Sequence, residues 1–401
     1  MRKALYKLID VRNFYSYTFI VCMVLMVSKY LLDIGLTWEL VVYLLVCMEL
    51  LYPLLNSKDI LNKNQFFKYP SIENSYNHKF VDRIKFEGYD KEEYCITEKI
   101  HGTNTQVAYY TDNDEFVYGT RERVLPRNEK CYNAQEIFEG LKNKMRSIVN
   151  LLQQKCVNNV KVVIFFGELY GGAYPHKEVN KDNHAIKVQK GVFYSQHNQW
   201  RAFDIAFKLK GEKHMHFLSW SDFISACEKV NLDHVPLLGI CLSLDEALQF
   251  PNDKLSEVYK LNDLPEIEDN VMEGVVIKPL SKDLWIGSHR VILKNKNDKF
   301  KEKWREKKPD IQEEMPEIVK QAITEISAYI NENRVNNVIS HLGEVSVKDI
   351  GKIIGLSSQD ALEDYKKEYG TLNMMEKSEE KMVTRYLNKE MSKIVRTIMM
   401  S

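Results

Sequence analysis

The chain has 401 residues, which at ~150 residues per domain is enough for two or three domains. Hydrophobic residues make up 44% and charged residues 28%, so a wholly disordered chain is excluded, and 17 Gly with 10 Pro exclude a collagen-like or linker protein. The 56 basic and 56 acidic residues cancel, so no global field drives the chain onto nucleic acid; only a local basic patch could. The cysteines (Cys22, Cys47, Cys95, Cys131, Cys156, Cys227, Cys241) are odd in number and show no CxxC spacing. That pattern speaks against structural zinc or a disulfide framework and predicts a reducing compartment.

In chain order, the first element is apolar. Arg2, Lys3, Lys7 and Arg12 precede an uncharged run from Phe14 to Val27; a second run covers Leu40–Met48 and, after Glu49, Leu50–Leu55. A spanning helix needs ~20 mostly apolar residues. The first run reaches that length if Lys29 snorkels, and the second carries a glutamate. No small-residue cleavage site follows, so a removed signal peptide is not expected. Lys58, Lys63 and Lys68 follow the second run, so the positive-inside rule keeps both ends in the cytosol. Residues 1–65 therefore read as an apolar helical extension, touching a membrane through residues 14–55 as a hairpin or interfacial anchor, or forming a soluble hydrophobic hairpin. The rest of the chain is expected on the cytoplasmic side.

From residue 66 to 300 short strand-like runs follow: Gln106–Tyr110, Val162–Phe166, Val192–Tyr194, Ala202–Ala206, Gly274–Ile277 and Val291–Leu293. Helical stretches, Ala134–Gln153 and Ser219–Val230, lie between them. The pattern predicts an α+β domain built mainly on antiparallel sheets. Neither GxGxxG nor GxxxxGK[ST] occurs, which disfavours Rossmann and P-loop nucleotide binding. A charged linker is expected over 301–314, and an all-helical domain over 315–401. There Ile318, Ala322, Ile326 and Ile330 share a face, and Asp349–Ile354, Ser358–Tyr365 and Met382–Ile398 are amphipathic.

The densest chemical cluster is Thr97-Glu98-Lys99-Ile100-His101-Gly102-Thr103-Asn104. A lysine can form a phosphoramidate with a nucleotide α-phosphate, but only as the neutral amine, which neighbouring cations and partial desolvation favour. Such cations occur in Leu293-Lys294-Asn295-Lys296, where i and i+2 point to one side of a strand. Two cations on one face repel unless an anion such as a triphosphate lies between them. Each feature alone has a plain meaning, a solvated lysine or an exposed strand face. Three further motifs change the balance. Phe166-Gly167-Glu168 sets a carboxylate at a strand end, able to accept from ribose hydroxyls. Phe203-Asp204 offers an aromatic for stacking on a purine, though a core Phe is commoner. Glu273-Gly274-Val275-Val276-Ile277-Lys278-Pro279 carries a carboxylate suited to a divalent metal on phosphate oxygens and a lysine for phosphate charge, or else a surface ion pair.

In that order these motifs resemble the covalent nucleotidyltransferase superfamily of ligases and capping enzymes. His101-Gly102-Thr103-Asn104 after the lysine resembles the RNA ligase 2 family, which includes phage RNA ligase 2 and the kinetoplastid RNA-editing ligases. Phe67-Lys68-Tyr69-Pro70-Ser71-Ile72-Glu73-Asn74 is similar to the start of the phage enzyme. Asn333-Arg334-Val335-Asn336-Asn337-Val338-Ile339-Ser340, with Gly343-Glu344, is similar to its helical C-terminal domain. The resemblance covers residues 66–401; the extension 1–65 departs from the phage pattern.

The resemblance implies an ATP-grasp-like antiparallel ligase domain followed by the small helical domain. It implies an ATP-dependent RNA ligase acting in three steps through a lysyl-AMP and an adenylylated RNA 5′ end. Lys99 would be the nucleophile, and His101 would help arrange the triphosphate. Glu98 and Ile100 would lie beside adenine, Asn104 near the phosphates, Glu168 on the ribose and Phe203 on the base. Arg121 would contact phosphate and ribose, with Arg123 as the alternative because the spacing to Leu125-Pro126 is a residue tight. Lys278, Lys294 and Lys296 would act on the phosphates, and Glu273 would serve the metal, Mg2+ with Mn2+ as substitute. The implied partner is RNA, as a nicked duplex, bound by a monomer. Residues 294–308 hold eight basic and three acidic side chains, which could track its backbone or be a solvated linker. In the related ligases the helical domain helps engage a nicked duplex, which is the expectation for residues 315–401. A DNA ligase or GTP-using capping enzyme on the same scaffold is disfavoured by HGTN and the helical tail. A non-catalytic RNA-binding or membrane-scaffold protein remains the alternative of a different class.

Overall fold

The computed structural model describes residues 66–126, 129, 131–301 and 315–400. The expected apolar extension and membrane contact of residues 1–65, and most of the expected linker and of the basic stretch after Lys301, lie outside the described residues. Among the described residues no helix is long and apolar enough to cross a membrane.

Two five-stranded sheets carry the first part of residues 67–401, which form one unit. The first sheet comprises β1 (Glu73–Asn74), β2 (Tyr94–Glu98), β8 (Leu237–Cys241), β9 (Gly274–Pro279) and β12 (Leu293–Lys296), in the order β1-β12-β9-β2-β8. The second comprises β3 (Thr103–Tyr110), β4 (Glu115–Thr120), β5 (Val160–Ala173), β6 (Ser195–Leu209) and β7 (His216–Phe217), in the order β4-β3-β5-β6-β7. A small hairpin pairs β10 (Trp285–Ile286) with β11 (His289–Arg290). The pairings are antiparallel except β1 on β12, which is parallel.

Four helices cover the sheets: α1 (His78–Phe86), α2 (Ala134–Lys155), α3 (Trp220–Lys229) and α4 (Leu244–Leu248). Along α2, Ala134, Phe138, Met145, Ile148, Val149 and Leu152 recur at helical spacing and are buried in the cluster that includes Phe165, Trp200 and Ile205. Each such fully buried large side chain is worth about 1.5–3 kcal/mol. The four C-terminal helices are α5 (Glu317–Ser327), α6 (Glu332–Leu342), α7 (Ile350–Glu368) and α8 (Lys377–Met400). They enclose a separate core in which Val383, Leu387, Met391 and Val395 of α8 repeat every fourth residue.

Several expectations need correction. Val192–Tyr194 is irregular backbone, held by side-chain contacts instead of a ladder. The last strand begins at Leu293, because Val291 and Ile292 make turn-type bonds to Leu284 and Arg290. The two central strands are much longer than their apolar centres, since they continue as a paired ladder through polar residues. Asp349–Ile354 and Ser358–Tyr365 belong to one helix apart from Asp349 itself. Gly355 lies between them, and a single helical glycine costs only ~1 kcal/mol. The buried face of α5 is Val319, Ala322, Ile323 and Ile326, with Ile318 at its edge, while Ile330 lies beyond the end of the helix.

Candidate active site

The HGTN segment is where the chain leaves one sheet for the other. β2 ends at Glu98 and β3 begins at Thr103, so Lys99–Gly102 bridges the sheets. The Lys99 N–H donates to the Gly274 carbonyl at 2.9 Å, and the His101 N–H donates to the Tyr194 hydroxyl at 2.9 Å. Glycine is required twice. A Cβ on Gly102 would lie 2.3 Å from the Leu169 carbonyl oxygen. Gly274 has φ +151°, and a Cβ there would lie 2.2 Å from the Asn295 carbonyl oxygen.

The crossover opens into a cavity of about 380 Å3. Glu98, Lys99, Ile100, His101 and Asn104 line it from the crossover and its flanking strands; Arg121, Glu168, Phe203, Lys278, Lys294 and Lys296 line it from elsewhere. All of these expected residues are brought together; the last of the expected set, Glu273, reaches the same place through its ion pairs. Glu273 is 1% exposed. Its Oε2 accepts from the Lys99 Nζ at 2.7 Å, its Oε1 lies 3.1 Å from the Lys296 Nζ, and the His101 Nδ1 is 3.4 Å from Oε2. Burial pushes this carboxyl up, but Lys99, Lys296 and His101 outweigh it and hold the group well below the usual carboxylate range.

Two other carboxyls are perturbed the opposite way. Glu98 is buried, and burial pushes its carboxyl up to about 7 against hydrogen bonds from Ser256 and the Glu257 N–H. The Glu257 N–H donates to its Oε2 at 2.8 Å, while its Oε1 is buried with no hydrogen-bond partner among the described residues. An unmatched acceptor at a cavity wall fits a ligand N–H. Glu168, opposite Asn104 on β5, is pushed up to about 8 by its desolvated position, with Glu273 adding and Lys99 and Arg121 opposing.

The remaining expected residues divide by what holds them. Phe203 is half-buried beside Tyr69, ring centroids 5.1 Å apart. The Lys278 Nζ donates to the Phe203 carbonyl at 2.8 Å and lies 4.8 Å from the Trp220 ring centre, so this lysine also braces the aromatic wall. Arg121 lines the cavity, whereas Arg123 is spent on Glu129, its NH1 donating to Oε2 at 2.7 Å. Among the described residues no three His, Cys, Asp or Glu side chains are set to hold a metal. A single carboxylate such as Glu273, completed by phosphate oxygens and water, suffices for a hard divalent cation.

Sequence reasoning missed three contributions. Asn337, His341 and Gln359, from α6 and α7, line the same cavity, and the Thr103 Oγ1 donates to the Ser340 carbonyl at 2.6 Å. Asp204 is buried against Arg290 at 2.6 Å and Tyr69 at 2.8 Å, fixing the strand beside Phe203. Tyr194 ties down the crossover from outside the cavity. For the first there was a signal in the similarity of residues 333–340 to a ligase C-terminal domain, and Asp204 entered only as the neighbour of Phe203.

The family model described as RNA ligase matches residues 92–296, half of the chain. The chain belongs to the RNA ligase family. A second model, T4 RNA ligase 2 C-terminal, matches residues 312–393, which supports the RNA ligase 2 group. Among curated proteins, the mitochondrial RNA-editing ligase 2 of Trypanosoma brucei brucei is 30% identical over 156 residues, 36% of this chain and 37% of that one. Among solved structures, a mutant Naegleria gruberi RNA ligase with ATP and Mn has a TM-score of 0.40 and 19% identity over 59% of this chain and 57% of that one. The same ligase with PPi has a TM-score of 0.38 at 18% identity, again over 59% and 57%. The chain thus spans less than two thirds of the length of these relatives.

Proposed function

We propose that this protein is an ATP-dependent RNA ligase that joins 3′-hydroxyl and 5′-phosphate RNA ends, preferably at nicks. The observation that carries the reading is the Lys99 amine, held at a cavity against buried Glu273, with Lys296 on the other carboxylate oxygen. In the first step Lys99, a cation against Glu273 at rest, first gives up one proton to solvent and its amine then forms a nitrogen–phosphorus bond at the ATP α-phosphate. The bond to the β-phosphate oxygen breaks, pyrophosphate leaves, and the surplus amine proton goes to solvent. In the second, the oxygen of an RNA 5′-phosphate replaces the amine on AMP. In the third, a 3′-hydroxyl attacks that 5′-phosphate, AMP leaves and the phosphodiester is made.

We assign the adenine to the Phe203 face, with its exocyclic amine donating to the unmatched Glu98 Oε1 and Ile100 beside it. Glu168 takes the ribose hydroxyls. Arg121, Lys278, Lys294, Lys296, Asn104 and His101 surround the phosphates, where fixed donors stabilise the charge that develops. Glu273 is the residue that would hold Mg2+, which supplies charge neutralisation at the phosphates when bound. Residues 66–300 would carry the nucleotidyl chemistry and 315–401 would help engage the duplex. Residues 14–55 would attach the enzyme to a membrane with this chemistry on the cytosolic side.

The deciding experiment uses α-labelled ATP and Mg2+ without RNA. The expected result is a covalent label that pyrophosphate removes and Lys99→Ala abolishes. A label surviving Lys99→Ala would overturn the assignment. GTP labelling in place of ATP would favour a capping-type enzyme.

A further inference from the structure

We propose that Tyr194 is a positioning residue for nucleotidyl transfer to Lys99, its hydroxyl fixing the main chain of the crossover that carries the nucleophile. The inference rests on the ligase reading above. Lys99 and His101 are held on Glu273 and Ile100 is buried, but the main chain of the turn Lys99–Gly102 has few anchors of its own. Its start is tied to the first sheet through the Lys99 N–H, and its end is pressed onto the Leu169 carbonyl. Between them the His101 N–H donates to the Tyr194 hydroxyl at 2.9 Å. Tyr194 is fully buried and is not part of the cavity wall, so its hydrogen bond reaches the site through the turn.

Its own placement is over-determined. The Asn262 Nδ2 donates to the Tyr194 carbonyl at 3.0 Å, and the Arg201 NH2 donates to the Asn262 Oδ1 at 3.1 Å. The Arg201 Nε donates to the Tyr170 hydroxyl at 2.9 Å, and the Tyr170 ring meets Tyr194 edge-on at 5.4 Å. Arg201 is itself buried. This polar layer lies outside the cavity wall and ends on the backbone two residues beyond Lys99. Burial, with Glu98, Glu273 and Glu168 nearby, raises the Tyr194 phenol well above its ordinary value, so it stays a neutral acceptor. Nucleophilic attack needs the amine and phosphorus aligned, and a misplacement of ~1 Å from a remote change costs orders of magnitude in rate.

Tyr194→Phe keeps the ring and removes the acceptor. In single-turnover labelling of the full chain with α-labelled ATP, the rate constant should fall about tenfold, with the ATP concentration for half-maximal rate within twofold. Sealing of RNA supplied already 5′-adenylylated should stay within twofold, because there Lys99 is not the nucleophile. A labelling rate within twofold of the parent overturns the proposal, and so does an equal fall in both steps, which marks a general structural defect. If Tyr194→Phe does not fold, Asn262→Ala frees the Tyr194 carbonyl and should slow labelling about threefold while sparing sealing; no such split overturns it. Failure of the ligase reading is separate, since the parent itself would then take no label.

Discussion

Replacing Glu98 by Gln should make the protein more stable at alkaline pH while impairing it as an enzyme. Glu98 is 1% exposed, so its carboxyl needs little discount for solvent screening. Burial raises it from an ordinary value of 4.5 to about 7. The folded form therefore holds its proton over a range in which the unfolded chain has released it. The cost of ionising it appears as pH rises. Below about 4.5 both states are protonated and no stability is lost. Between about 4.5 and 7 stability falls by about 1.4 kcal/mol per pH unit, and above 7 the loss levels off near 3 kcal/mol.

A glutamine in that place has no charge to desolvate, and its amide oxygen can still accept from the Glu257 N–H. Urea unfolding of parent and Glu98→Gln at pH 5, 6, 7 and 8 is the assay. The stability difference should be under about 1 kcal/mol at pH 5 and should grow to about 3 kcal/mol in favour of the variant at pH 8. Glu168 is present in both proteins, so its own titration cancels to first order. ATP labelling should fall at least tenfold, because an amide N–H can now face the donor on the base. A stability difference that does not change with pH, or a variant less stable at pH 8, would refute the account of Glu98 as a desolvated acceptor kept for a ligand.

The two arginines and the crossover glycine give further tests. Arg121→Ala should lower ATP labelling at least tenfold, while Arg123→Ala should change it less than threefold and cost under about 1 kcal/mol of stability, since its partner Glu129 is about as solvent-exposed as it is. Comparable losses in the two variants would remove the distinction. Gly102→Ala should abolish labelling and lower the unfolding free energy by at least about 2 kcal/mol, because the added carbon meets main chain on the neighbouring strand; a stable, active variant would show that the crossover can shift.

What could be read from sequence follows chain-local physics. Lys99, Glu168, Phe203 and Lys294 sit at strand ends or on strand faces whose periodicity is visible over a few residues. Arg121 and Arg123 could not be separated that way, because the choice turns on Glu129 capturing one of them. Val192–Tyr194 looks like a strand by composition, yet its polar main-chain groups go to the side chains of Asn262 and Asn270, residues far along the chain. Glu273 was expected as a metal ligand or a surface ion pair. Its burial among Lys99, Lys296 and His101 depends on the register that sets Gly274 against Lys296. The part of α6 and α7 in the cavity wall was invisible to periodicity, which reports only the face that packs inward.

The crossover explains why a chain with no net charge can hold so concentrated a field. The first sheet supplies Lys278, Lys294 and Lys296 from adjacent strands, and Glu273 just ahead of one of them. The second supplies Asn104, Glu168 and Phe203. Lys99 stands where the chain passes from one sheet to the other. Lys99 and Lys296 share the single carboxylate of Glu273, so the two cations are already close, Lys296 buried and Lys99 partly so. An entering polyphosphate offers each of them more oxygens than that carboxylate does. Glu273, 1% exposed, would then need another cation, which the proposed Mg2+ would supply, because a buried ion pair opens at modest cost only when neither partner is left uncompensated. On the proposed reading, the resting ion pair keeps the cavity preorganised and, in opening, frees the amine that would carry AMP and be restored when AMP passes to RNA.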